Sequence, residues 1–96
     1  MIIKLLEELK ELDEDTWVLT PYNRDRDQLQ GCIQRAIEKR GWIYFLEKHP
    51  ALSWNCGIIT IPDGKDDHYY ESDGDFPAEA VLAAYIKTLK MIGDKS

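Results

Sequence analysis

Between Tyr70 and Ala80 the chain passes from the end of a strand into the start of a helix, and this junction constrains the fold more than any other segment. His68 to Ser72 reads as a strand, more polar than its neighbours and suited to a sheet edge. Gly74 opens a turn, and Pro77 suits the first helical position, where its missing N–H costs nothing. Glu79 falls near the unpaired N–H groups of the first turn. Val81, Leu82, Tyr85, Ile86 and Leu89 continue an apolar stripe, while Ala78, Ala80, Ala83 and Ala84 allow close packing on a sheet. Gly93 ends the helix.

The rest of the chain supplies partners for this unit. Ile2, Leu5, Leu6, Leu9 and Leu12 fall at helical spacing and predict a helix over 2–12. Asp13-Glu14-Asp15 breaks that pattern, and Trp17 to Thr20 is expected to be a short strand or an extended loop ended by Pro21. A second helix is predicted over 24–40, capped by Asn23 or Asp25, with Leu29, Cys32, Ile33, Ala36 and Ile37 as its stripe and Gly41 as its stop. Trp42 to Glu47 predicts a strand apolar on both faces, a pattern that suggests a central strand covered on both sides. His49 to Asn55 reads as a connection, and Cys56 to Ile61 as a strand built on Ile58, Ile59 and Ile61. Pro62-Asp63-Gly64 supplies turn chemistry, so this strand and the one at 68–72 form a hairpin.

The predicted order is therefore helix, short extended piece, helix, three strands, helix. The class is α+β: a small antiparallel sheet of three or four strands sandwiched between helices. Ninety-six residues make one domain, 1–96, with 17–90 as its core and 1–15 as a leading helix. The N-terminal stretch lacks a basic region followed by an apolar one, so it does not read as a signal peptide. No run is long and apolar enough for a membrane span. Cys32 and Cys56 sit in apolar contexts and read as buried free thiols, which fits a cytosolic setting.

Charge is concentrated in one place. Residues 63–79 hold seven carboxylates (Asp63, Asp66, Asp67, Glu71, Asp73, Asp75 and Glu79) against Lys65, a net −6 that equals the net charge of the entire chain. Such a chain is a poor candidate for binding nucleic acid directly, which calls for a basic patch.

Several of these residues form a pattern. Pro21-Tyr22-Asn23-x-Asp25 opens a helix, and Arg40-Gly41-Trp42 enters a strand. Trp54 precedes the next strand, and Tyr70-Glu71-x-x-Gly74-Asp75-x-Pro77-Ala78-Glu79-Ala80 opens the final helix. Together they resemble the phage α/β/α-sandwich domain family, small proteins of bacteriophages and prophages, over about residues 17–90. Phe76 departs from the small hydroxyl residue expected there; either Asp75 caps the helix, or Phe76 acts as a hydrophobic staple against Ala80 or Val81. The family carries no agreed catalytic residues. The resemblance implies a phage accessory protein acting in the cytoplasm of a host bacterium.

The residues favour little catalytic chemistry. Asp66-Asp67 and Asp73-x-Asp75 are oxygen donors, but they lack the spacing of a calcium loop and read as solvated turn carboxylates. His49, His68 and Cys56 show no zinc-ligand spacing, and no phosphate-binding glycine motif or serine elbow occurs. No catalytic residue, metal or cofactor is therefore assigned. The aromatic residues are more numerous than a core this size needs, and Trp54 is expected in a loop with Asn55, exposed for contact.

Two functions compete on this basis. In the first, a noncatalytic accessory or counter-defence inhibitor binds a host protein through an acidic surface comprising Asp63, Asp66, Asp67, Glu71, Asp73 and Asp75, with Trp54 as an aromatic contact. In the second, an oligomeric sponge sequesters a small nucleotide-like signal through Arg24, Arg26, Arg40 and Trp42. A homodimer is expected in either case if the apolar face of helix 2–12 is incompletely covered.

Overall fold

A computed structural model describes residues 2–20, 25–48, 53–60 and 68–93, with the side chains of Ile2, Arg26, His68 and Ile92 excepted. The elements run α1 (Ile2–Leu12), α2 (Glu14–Trp17), α3 (Arg26–Lys39), β1 (Ile43–Lys48), β2 (Trp54–Thr60), β3 (His68–Gly74) and α4 (Pro77–Gly93). This is the α+β class in the expected order.

The local chemistry explains most boundaries. Asp25 caps α3, its carboxylate accepting the Gln28 N–H at 3.1 Å. Gly41 stops α3 with φ 78°, in the left-handed region that other residues enter at a cost. At the β3–α4 junction, Glu79 reaches back and its carboxylate accepts the Asp75 backbone N–H at 3.1 Å. The carboxylate seen bridging this turn is thus that of Glu79, with Asp75 contributing its main chain. Gly74 is buried where the end of β3 meets α4: a Cβ there would lie 2.5 Å from the Ala80 backbone nitrogen.

Residues 14–20 differ from expectation. Asp13 breaks the helical pattern as expected, ending α1 after Leu12, but a second helical turn follows it at once. The Asp13 N–H bonds the Leu9 carbonyl at 2.7 Å, and its side chain then caps α2 by accepting from the Thr16 N–H and hydroxyl at 3.3 and 2.6 Å. Trp17 closes α2 and packs on the core, so no extended piece forms at 17–20. A side-chain oxygen that satisfies the first free N–H groups outweighs the strand preference of Trp17 and Val18.

The sheet is antiparallel, in the order β1-β2-β3. β1 is therefore an edge strand, not the central one its apolar pattern suggested, and β3 lies at the other edge as expected. Register pairs Phe45 with Gly57 and Gly57 with Glu71, and pairs Tyr44 with Ile58 and Ile58 with Tyr70. One face thus carries Tyr44, Leu46, Trp54, Cys56, Ile58, Thr60 and Tyr70. The other carries Ile43, Phe45, Glu47, Asn55, Gly57, Ile59, Tyr69, Glu71 and Asp73.

Helix cover is found on the first face. α4 lies across β2 and β3, with Ala80, Val81, Leu82, Ala84, Tyr85 and Thr88 fully buried. α3 and α1 pack against α4 through Leu29, Ile33, Ile37 and Leu9, and α3 also touches β1. α4 is thus apolar around most of its circumference, because the sheet, α3 and α1 all pack on it. α1 is part of this core: Leu9 is fully buried, a burial that stabilises by about 1.5–3 kcal/mol. Among the described residues no helix is long and apolar enough to cross a membrane.

Candidate functional site

The second face of the sheet stays open. Ile43 is 53% exposed, Tyr69 45% and Phe45 39%. Phe45 and Tyr69 lean toward each other across β2, their rings parallel within 11° and their centroids 5.7 Å apart. Gly57 is the reason they can. A Cβ there would sit 2.6 Å from the Tyr69 ring and hydroxyl and 2.7 Å from the tip of Phe45. The rings lie over the bare strand backbone and bury it, so Gly57 itself is covered.

Carboxylates surround this aromatic pair. The Tyr69 hydroxyl donates to Glu71 Oε2 at 2.7 Å. That bond, with smaller contributions from burial and from the charges of Glu71 and Glu47, pushes the phenol up to about 12. Asp73, one pleat further along β3, accepts from Asn55 Nδ2 at 2.8 Å. Two isoleucines, three carboxylates and two aromatic rings thus share one surface on a three-stranded sheet.

A second cluster joins the helices. Asp13 Oδ2 accepts from the Tyr85 hydroxyl at 2.5 Å, the Thr16 hydroxyl at 2.6 Å and Arg40 Nη2 at 3.2 Å. Arg40 Nε donates to the Tyr85 oxygen at 2.9 Å and its guanidinium lies 5.2 Å from the Trp42 ring centre. Burial pushes the Asp13 carboxyl up, but the hydrogen bonds from Thr16, Tyr85 and Arg40 outweigh it and hold the group below its usual value. Burial raises the Tyr85 phenol, and its bond to Asp13 adds to the rise.

The described carboxylates of the acidic segment occupy different places. Glu71 and Asp73 lie on the open face, Asp75 is exposed in the turn before α4, and Glu79 is half-buried against that turn. Asp63, Asp66, Asp67 and Arg24 lie outside the described residues. So does the side chain of Arg26, which opens α3. Trp54 is not a loop residue. It starts β2 on the helix-covered face, half-buried against the core, with Lys48 Nζ 5.8 Å from its ring centre. Arg40 and Trp42 are brought together, but in contact with Asp13 and Tyr85.

Phe45 and Glu47 are residues of this face that sequence patterning did not single out. Phe45 reads there as core because β1 is apolar on both faces. The one local hint is Gly57 inside an otherwise apolar strand.

Elsewhere the surface offers less. A shallow open depression is lined by Glu7, Lys10, Glu11 and Glu14. Among the described residues no group of three His, Cys, Asp or Glu side chains is placed to hold a metal. Cys32 and Cys56 are both buried free thiols, as expected, and burial pushes the Cys56 thiol up to about 12. The fold and this face define a small α+β protein whose sheet is covered by helices on one side and presents aromatic rings and carboxylates on the other. Comparison with protein-family models, curated proteins and solved structures finds no match.

Proposed function

We propose that this chain is a noncatalytic binding module that engages a protein of a bacterial host through the open face of its sheet, as an accessory or counter-defence protein of a phage. The observation that carries the binding reading is the exposed Phe45–Tyr69 pair, laid over Gly57 and bordered by Glu47 and Glu71. Aromatic side chains at the centre of a surface, ringed by polar groups, are the usual anchors of protein interfaces. The acidic border favours a partner with a basic surface and speeds encounter with it. The phage origin and cytoplasmic setting rest on the resemblance of the 21–25, 40–42, 54 and 70–80 segments.

Sequestration of a small nucleotide at Arg40 and Trp42 has weaker support. The Arg40 guanidinium already donates to Asp13 and Tyr85, so an anionic ligand would have to displace a carboxylate of the same chain.

Affinity capture from a bacterial lysate tests the proposal when wild type is run beside two variants. Phe45→Ala removes the exposed ring, and Glu14→Gln alters an exposed residue on α2 as a control. A protein kept by wild type and the control, lost from Phe45→Ala, and bound again when purified alone is the expected result. Identical sets on all three would remove the sheet face from consideration.

A further inference from the structure

The open face also specifies what should sit on it, if it is the docking surface proposed above. We infer that the occupant is an arginine-bearing, otherwise apolar segment of a partner protein, its guanidinium stacked flat on the Phe45–Tyr69 pair between Glu47 and Glu71.

The argument starts from the rings. The two rings are stacked, within 11° of parallel and 5.7 Å between centroids, and their exposed π-surface attracts a cation. Glu47 lies two residues from Phe45 on the same side of β1, and Glu71 faces Gly57 on β3. Glu71 accepts from the Tyr69 hydroxyl and Glu47 is on the same face beside Phe45, so both border the rings. Among the described residues no lysine or arginine lies on this face, and neither carboxylate pairs with a cation side chain. The Lys87 ammonium bonds the Glu71 backbone carbonyl, leaving the Glu71 carboxylate to Tyr69.

A planar, weakly hydrated guanidinium suits this place better than an ammonium. It stacks on rings through its face and offers N–H groups at its edge to carboxylates on either side. Ile43 and Ile59 flank the pair and provide seats for apolar neighbours of the arginine.

Charge separates this occupant from the two others a sheet face invites. A second copy docked face to face would bring Glu47, Glu71 and Asp73 against their own counterparts with no described cation between them. Single-stranded nucleic acid stacks bases on such platforms, but it needs a basic track for its phosphates.

The test uses the full chain, labelled for NMR and assigned. It is titrated at low salt with the peptides acetyl-Leu-Arg-Leu-amide and acetyl-Leu-Lys-Leu-amide, and separately with an eight-residue oligouridylate. The expected result is saturable shifts of Gly57, Glu71 and the Phe45 and Tyr69 ring signals, with a dissociation constant on the order of millimolar. The arginine peptide should bind at least about threefold more tightly than the lysine peptide. The double change Glu47→Gln and Glu71→Gln alters exposed residues, keeps an acceptor for Tyr69, and should weaken the arginine peptide by roughly fivefold or more.

Equal affinity for the two peptides at the face would overturn the arginine assignment and leave the docking face standing. Shifts on the face caused by raising the protein concentration alone would replace the partner with a second copy. Shifts on the face caused by the oligouridylate would replace it with nucleic acid. Peptide shifts confined to other acidic surfaces would overturn this inference and weaken the docking proposal with it.

Discussion

Replacing Tyr85 with phenylalanine removes one oxygen atom from the centre of the helix layers and leaves the ring in place. In the folded protein that oxygen donates to Asp13 at 2.5 Å and accepts from Arg40 at 2.9 Å. The Tyr85 side chain is fully buried and Asp13 is only 12% exposed, so water makes a poor substitute for the lost bond. A hydrogen bond to a charged group contributes about 1.5–3 kcal/mol. Asp13 keeps Thr16 and Arg40 as partners, which places the expected loss at about 2 kcal/mol. In a domain of this size that lowers the melting temperature by roughly 8–16 °C.

The loss should depend on pH in a definite direction. The folded Asp13 carboxyl lies below its ordinary value of 3.8. Its ionised form therefore contributes stability that is fully present above pH 3.8 and is lost as pH falls through the lower folded pKa. The Tyr85→Phe variant has given up part of that contribution, so its deficit should be full at pH 7 and shrink in strong acid. Urea unfolding followed by circular dichroism at both pH values measures this. A deficit below about 0.5 kcal/mol at pH 7 would refute the claim that the Asp13–Arg40–Tyr85 cluster holds the helices together.

Two further outcomes follow from packing. Gly74→Ala places a methyl 2.5 Å from the Ala80 backbone, which cannot swing aside like a side chain, and should cost about 3 kcal/mol in urea unfolding; a loss under about 1 kcal/mol would show that the β3–α4 junction opens easily. Native Cys56 and Cys32 should both resist a thiol reagent at pH 8, being buried and carrying thiols raised by that burial, and both should react at once when urea is added. Fast labelling of the folded protein would contradict the burial of these two side chains.

What the sequence determined on its own is the set of signals that act within a few residues. The left-handed stop at Gly41, Pro77 at the head of α4 and the stripes of α1, α3 and α4 are local and are found in the fold, and of the two caps offered for α3, Asn23 and Asp25, it is Asp25 that serves. Burial of both cysteines was legible for the same reason, since each lies among apolar neighbours. Asp13 shows the limit within that range: the break it makes after α1 was legible, but that it also caps a further helical turn depends on its geometry with Thr16.

Strand order lies beyond local pattern. An edge strand and a central strand can carry the same alternation, so the apolar content of Ile43 to Leu46 could not say that one of its faces stays open. The register that pairs Phe45 with Gly57 and Gly57 with Glu71 decided where Tyr69 and Glu71 meet Phe45. The Asp13–Arg40–Tyr85 cluster joins residues that are 27, 45 and 72 positions apart, and Trp54 became a half-buried strand residue through its pairing with Lys48 and Gly74. The contacts of Tyr85 with Asp13 and Arg40 arise from how α4 packs against the other helices, and no short window along the chain contains both partners.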